Sequence, residues 1–238
     1  MAGGDVLDDL LGRCERSPDV VGVVLFGSRV YEGVATADSD YDVYVIAKAA
    51  AVAAGRWRTS RTRELDTIVM SIDEFREPGE DWARYSFTRA QVLMDRLDGE
   101  VGRLVAAKGT LGRDEARALA ATALDAYLNF AYRAAKNRRD GRPAEARLDA
   151  AESVPALLTA VFALHGRIRP YNKHLSWELS RYPLGSARWD GLLALAGRVL
   201  DGDIEAQRYL FVAVEHEALV RGYGDVLNGW GDELALLR

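Results

Sequence analysis

The chain has 238 residues, 49% of them hydrophobic, and a formal net charge of -5. That length can bury a full core, in one large domain or two small ones. No run approaches the ~20 apolar residues that span a bilayer, and the amino-terminal MAGGDVLDDLLGR lacks the basic-then-apolar order of a signal peptide, so the expected location is the cytoplasm. The charge is uneven: residues 201–238 hold eight acidic and three basic side chains, which equals the whole net charge. Binding along a long nucleic acid calls for a basic surface, so the balance argues against a nucleic-acid partner and for a small or cationic one.

Residues 5–16 read as a short amphipathic helix with Asp5 as N-cap, ending before Pro18. The single cysteine, Cys14, cannot form an internal disulfide or a multi-thiolate zinc site; it shares an apolar stripe with Leu7, Leu10 and Leu11 and is expected in the core. Val20–Phe26 is a near-continuous β-branched run, the pattern of a strand covered on both faces, and it stops at Gly27-Ser28. Further strands are expected over Tyr41–Ala47, Glu64–Ser71 and Gln91–Asp95, and the alanine-rich stretch 47–54 reads as a loop or helix start. From about Arg113 the period becomes helical, with Ala118, Ala121, Leu124, Leu128 and Ala131 on one stripe that ends at Asp140-Gly141. Helices then follow over 143–165, 172–181, 187–200, 203–222 and on to Leu237. The expected architecture is an α/β domain over 1–110, a small mixed sheet with flanking helices, followed by an all-helical bundle over 111–238.

The chemistry is expected in LFGSRVYEGVATADSDYDVYVI, residues 25–46, where a strand runs into Gly-Ser and an Asp-x-Asp opens the next strand. Side chains alternate along a strand, so Asp40 and Asp42 are expected on one face, with Tyr41 and Val43 in the packing behind them. Two such carboxylates are a hard-oxygen site suited to Mg2+, which takes one or two protein carboxylates and fills its octahedron with water and phosphate oxygens. Gly27 leaves the backbone bare for a phosphate, the Ser28 hydroxyl can donate to it, and SRVYEG is expected to begin a short helix whose N-terminus favours an anion. No lysine follows in the position a Walker A loop requires.

Gly27-Ser28, the eleven-residue gap and Asp40-Tyr41-Asp42-Val43 resemble the signature of the polymerase-beta-like nucleotidyltransferase superfamily. The resemblance implies transfer of a nucleoside monophosphate from ATP or another NTP with two Mg2+ ions. It implies Asp40 and Asp42 as metal ligands and Gly27, Ser28, Arg29 and Ser39 as nucleotide contacts. It also implies a third carboxylate on the next strand, which RELDTIVMS supplies as Asp66, although Glu64 shares its parity and competes for the role. Asp66 would hold the second metal or take the acceptor's proton; a base from the helical domain is a further alternative.

The length and the helical second domain are similar to the aminoglycoside branch, the streptomycin/spectinomycin adenylyltransferases, where the third acid is a glutamate rather than an aspartate. Those enzymes use a lysine ahead of a tryptophan in the helical domain; RPYNKHLSWEL places Lys173 four residues before Trp177, which makes Lys173 a nucleotide-phosphate candidate. Asp149 and Glu152, one helical turn apart, are candidates for holding a cationic acceptor or are acids on a solvated face. The cluster Arg133, Lys136, Arg138, Arg139 and Arg142 sits at a helix C-terminus, where cations offset the dipole. His165, His174 and His216 are too scattered for a metal site.

The expected partners are therefore an NTP and a small hydroxylated acceptor, with no membrane and either a monomer or a homodimer. The rival readings are nucleotidylation of a protein or tRNA end, and a non-catalytic antitoxin-like nucleotide-binding module.

Overall fold

The structure, a computed structural model, describes residues 3–79 and 83–238, apart from the side chains of 3–5. The chain forms two compact units, Met1–Thr110 and Leu111–Arg238.

In the first unit, helix α1 (Gly3–Arg16) already includes Asp5, the expected cap, whose side chain lies outside the described residues. Its stripe buries Leu10 and Cys14 against Val20, Val23, Leu25, Val43 and Val45, with Leu7 and Leu11 at the margin. Burial pushes the Cys14 thiol up to about 11, which leaves it protonated and inert. Strand β1 (Val20–Phe26) is central, as its unbroken apolar run requires: β2 (Tyr41–Ala47) and β5 (Gln91–Asp95) both pair with it antiparallel. β4 (Leu65–Ser71) pairs parallel to β2, and the two-residue β3 (Ser60–Arg61) closes the edge, for the order β3-β4-β2-β1-β5.

The far face of this mixed sheet carries a second core of Val21, Val24, Tyr44 and Ile46, covered by Phe75 of α3 (Ile72–Arg76), Phe87 of α4 (Arg84–Phe87), and Val101 and Val105 of α5 (Glu100–Lys108). A capping box starts α3, where the Ser71 hydroxyl accepts from the Glu74 amide at 3.2 Å and the Ser71 amide donates to Glu74 at 2.7 Å. The alanine-rich stretch forms the short helix α2 (Ala49–Ala53).

The second unit is helical throughout. A tight turn at Asp140–Arg142 joins α6 (Arg113–Arg139) to α7 (Pro143–Leu164). Small buried residues, among them Ala120, Ala131, Ala134, Ala150 and Ala160, line the pair and let the two backbones approach closely. The expected helices 172–181 and 187–200 are each broken: 3-10 turns at Asn172–His174 and Ala187–Trp189 precede α8 (Leu175–Arg181) and α9 (Leu192–Leu200). Asp203 caps α10 (Ile204–Val220), and the chain ends through α11 (Gly224–Asn228) and a 3-10 helix, Gly231–Leu237. Among the described residues no helix is long and apolar enough to cross a membrane.

Candidate active site

Strand register assembles the candidate residues of the first unit. Phe26, the last residue of β1, lies opposite Asp42, and Asp42 lies beside Asp66 across the parallel β2–β4 pairing. Partners on adjacent strands project from the same face about 4.8 Å apart, so the carboxylates of Asp42 and Asp66 stand side by side at one end of the sheet. By parity they share the face of Tyr44 and Ile46, and beneath them the Tyr44 ring stacks on Phe26 at 4.3 Å and on Phe87 at 5.3 Å. Burial raises the pKa of the Tyr44 hydroxyl; a hydrogen bond with Ser86 opposes this and the Asp42 charge adds to it.

Gly27 follows immediately in a left-handed conformation, φ +76°. A Cβ there would lie 1.8 Å from Oδ2 of Asp42, so the carboxylate occupies the space a side chain would fill. Glycine is thus required at this position both for its backbone angle and for room. The chain continues as a single 3-10 turn, Gly27–Val30, rather than the expected helix. Four residues carry almost no macrodipole, so any contact with an anion here falls on the local N–H groups and on Ser28, whose hydroxyl makes no hydrogen bond among the described residues.

Arg29 and Ser39, expected to touch nucleotide, are engaged with the loop that leads to the acids. Nε of Arg29 donates to the Asp40 carbonyl at 3.2 Å, its terminal nitrogen donates to the Ser39 carbonyl, and the guanidinium lies 4.1 Å from the Tyr41 ring centroid. The Ser39 hydroxyl accepts from the Thr36 amide at 2.9 Å. Arg29 therefore clasps the segment that carries Asp40. Asp40 itself precedes β2, so the alternation expected to align it with Asp42 begins one residue after it.

Asp66 is 21% exposed, and its nearest cation is Nε of Arg61 at 3.5 Å, on the short strand β3 that sequence periodicity misses. Glu64, the competing acid, is exposed and lies before β4; its backbone carbonyl accepts from the Tyr41 amide at 2.9 Å. Among the described residues no three His, Cys, Asp or Glu side chains converge as a metal cage, so Asp40, Asp42 and Asp66 do not form a closed triad. An all-oxygen pair with a third acid nearby still fits Mg2+, which needs only one or two protein carboxylates.

The candidates of the helical unit are dispersed. Asp149 is 5% exposed and is held by Arg133 at 2.9 Å and Asn137 at 2.7 Å, both on α6, whereas Glu152 faces solvent, so the two are not a pair. Lys173 is exposed beside buried His174, whose pKa is lowered to about 4, first by burial and next by the Lys173 charge. Trp177 is half-buried against Tyr182. In the basic cluster, Arg139 and Arg142 pair with Asp140, and Arg138 donates to Gln207. Of the eight acids in 201–238, four are ion-paired among the described residues: Asp203, Glu205, Glu215 and Glu217. Asp225 and Glu233 line a depression of ≈ 640 Å³ together with Asp125 and Trp230.

No protein-family model and no curated protein matches the chain. Among solved structures it is similar to a nucleotidyltransferase-like protein from Exiguobacterium sibiricum 255-15, at 12% identity and a TM-score of 0.45, over 95% of this chain and 78% of that one.

Proposed function

We propose that the chain is a nucleotidyltransferase that moves a nucleoside monophosphate, AMP from ATP in the first instance, onto a hydroxyl of a small acceptor such as an aminoglycoside-like antibiotic. The observation that carries this reading is the pairing of Asp42 with Asp66 across β2 and β4. Like charges directly opposite one another in a sheet destabilise it, and Arg61, which meets Asp66 at 3.5 Å, is 78% exposed. A carboxylate pair of this kind suits a site that receives a divalent cation.

Asp42 and Asp66, with Asp40 at the end of the Arg29-clasped loop, would hold Mg2+, which when bound neutralises triphosphate charge and acidifies the acceptor hydroxyl. Ser28 donates to a phosphate oxygen at the end of β1. Gly27 keeps the Asp42 carboxylate in place by leaving its space vacant. Arg29 fixes the backbone of Ser39 and Asp40 and thereby the position of Asp40. Asp66 accepts the proton of the acceptor hydroxyl as that oxygen bonds to the α-phosphorus in line and the bond to pyrophosphate breaks. The absence of a basic excess favours a small acceptor over tRNA.

The test is pyrophosphate release with each NTP across aminoglycosides, nucleosides and tRNA. Mg2+-dependent release with a small hydroxylated acceptor, lost in Asp42→Asn, supports the reading. NTP binding without turnover on every acceptor would favour a nucleotide-binding module.

A further inference from the structure

One member of the basic cluster at the end of α6 lines a cavity instead of projecting into solvent. This cavity, of ≈ 220 Å³, lies within the second unit, where the last turn of α6 and the first turn of α10 meet the end of the final 3-10 helix. Its walls are apolar, formed by Ala135, Ile204, Leu236 and Leu237. Its charged groups are all cations: Arg138, Arg139 and Arg208.

Arg138 is held in place without being neutralised. Gln207, 4% exposed, accepts from a terminal nitrogen of Arg138 at 2.9 Å through Oε1 and donates from Nε2 to the Ala131 carbonyl at 3.2 Å. An amide fixes the guanidinium but carries no charge, where a glutamate of similar shape would supply one. Among the described residues no carboxylate pairs with Arg138, and neighbouring Asp140 is engaged by Arg139 and Arg142. Burial lowers the Arg138 pKa, and the charge of Arg208 lowers it further. Arg208 meets Glu205 at 3.2 Å, but that carboxylate is 75% exposed, so solvent weakens the pair. Two guanidiniums on one partly buried cavity repel each other, and an anion between them relieves both the repulsion and the burial.

We infer that this cavity binds a short alkyl carboxylate, with its oxygens at Arg138 and Arg208 and its chain against Ile204, Leu236 and Leu237. This inference does not depend on the proposed catalytic function. A carboxylate matches the planar fork of a guanidinium. The volume equals that of about seven waters, room for a short chain, and falls below the ~300–1,000 Å³ of sites for larger ligands. The apolar walls select against inorganic phosphate, which would lose hydration against them, and the arginines select against an amino acid, whose ammonium they repel.

Titration calorimetry and thermal melts of the full chain with octanoate, octylamine and inorganic phosphate test the inference. Octanoate should bind with a submillimolar Kd and raise the melting temperature, whereas octylamine and phosphate should do neither at the same concentrations. Arg138→Gln removes a charge that only repels its neighbour, so it should fold as the native chain does and weaken octanoate at least ~10-fold, the loss of a charge-assisted hydrogen bond. Arg208→Glu places a carboxylate of the chain itself beside Arg138 and should abolish octanoate binding by occupying its place. A native chain that does not respond to millimolar octanoate overturns the inference. So does equal binding of octylamine or phosphate, or octanoate binding that persists in Arg138→Gln or in Arg208→Glu.

Discussion

Gly27→Ala probes the contact between turn and carboxylate that the proposed site depends on. The backbone at Gly27 has φ +76°, and an added Cβ would sit 1.8 Å from Oδ2 of Asp42. Restoring even a tight 3.0 Å contact moves that oxygen by about 1.2 Å, and a misplacement of ~1 Å at a reacting centre costs on the order of 100-fold in rate. The left-handed conformation adds ~1–2 kcal/mol of strain for any residue with a Cβ. Gly33 supplies the control: its φ is +75°, nearly the same, and no atom lies within 4 Å of a Cβ placed there. Gly33→Ala carries the backbone strain without the clash. Urea melts and steady-state pyrophosphate release on both variants separate the two terms. Both should lose ~1–2 kcal/mol of stability, and Gly27→Ala alone should lose roughly 100-fold in kcat. Comparable activity in the two variants would refute the reasoning.

Asp66→Asn should cut turnover by at least ~100-fold with NTP affinity nearly intact, while Glu64→Gln, which leaves the backbone contact with Tyr41 in place, should be silent; steady-state kinetics with an NTP-binding titration decides between them. Arg29→Gln releases the carbonyls of Ser39 and Asp40, so kcat should fall more than stability, and Arg29→Lys should not restore it because a lysine cannot reach both acceptors and stack on Tyr41; paired activity and melting measurements check this. Asp149→Asn leaves Arg133 without its counter-charge at a buried carboxylate and should cost ~1–3 kcal/mol in a urea melt, whereas exposed Glu152→Gln should cost nothing measurable. His174 stays neutral in the folded chain down to about pH 4 and protonates from 6.5 in the unfolded one, so the unfolded state binds the extra proton between those values. Stability from this group is complete above pH 6.5 and falls as pH drops toward 4, by up to ~1.4 kcal/mol per unit, and His174→Gln should flatten that part of the stability profile.

The strands of the first unit are legible because their residues satisfy a local rule: Val20–Phe26 is a β-branched run and becomes the central strand, and Tyr41–Ala47 and Gln91–Asp95 lie where the sequence puts them. Ser60–Arg61 is too short to show any period and exists only through its pairing with β4. Parity predicts the face of Asp42 and of Asp66 separately. Their adjacency depends on β4 crossing over to pair with β2, a tertiary choice that no local pattern encodes. Arg29, a nucleotide contact by resemblance, also reaches the carbonyls ten and eleven residues along the chain, a contact that no local pattern shows. Spacing of i, i+3 puts Asp149 and Glu152 near one another on α7, but the packing of α6 draws only Asp149 inward. The break within 187–200 falls at Gly191, whose left-handed conformation, φ +75°, separates the 3-10 turn from α9.

The central claim is nucleotidyl transfer at the Asp42–Asp66 pair, and the most direct measurement follows the label from α-labelled and γ-labelled ATP in parallel reactions with a responsive acceptor and Mg2+. Nucleotidyl transfer puts the α-label on the acceptor and the γ-label in pyrophosphate, and Asp42→Asn should give neither product. Transfer of the γ-label to the acceptor, or full transfer of the α-label by Asp42→Asn, would contradict it.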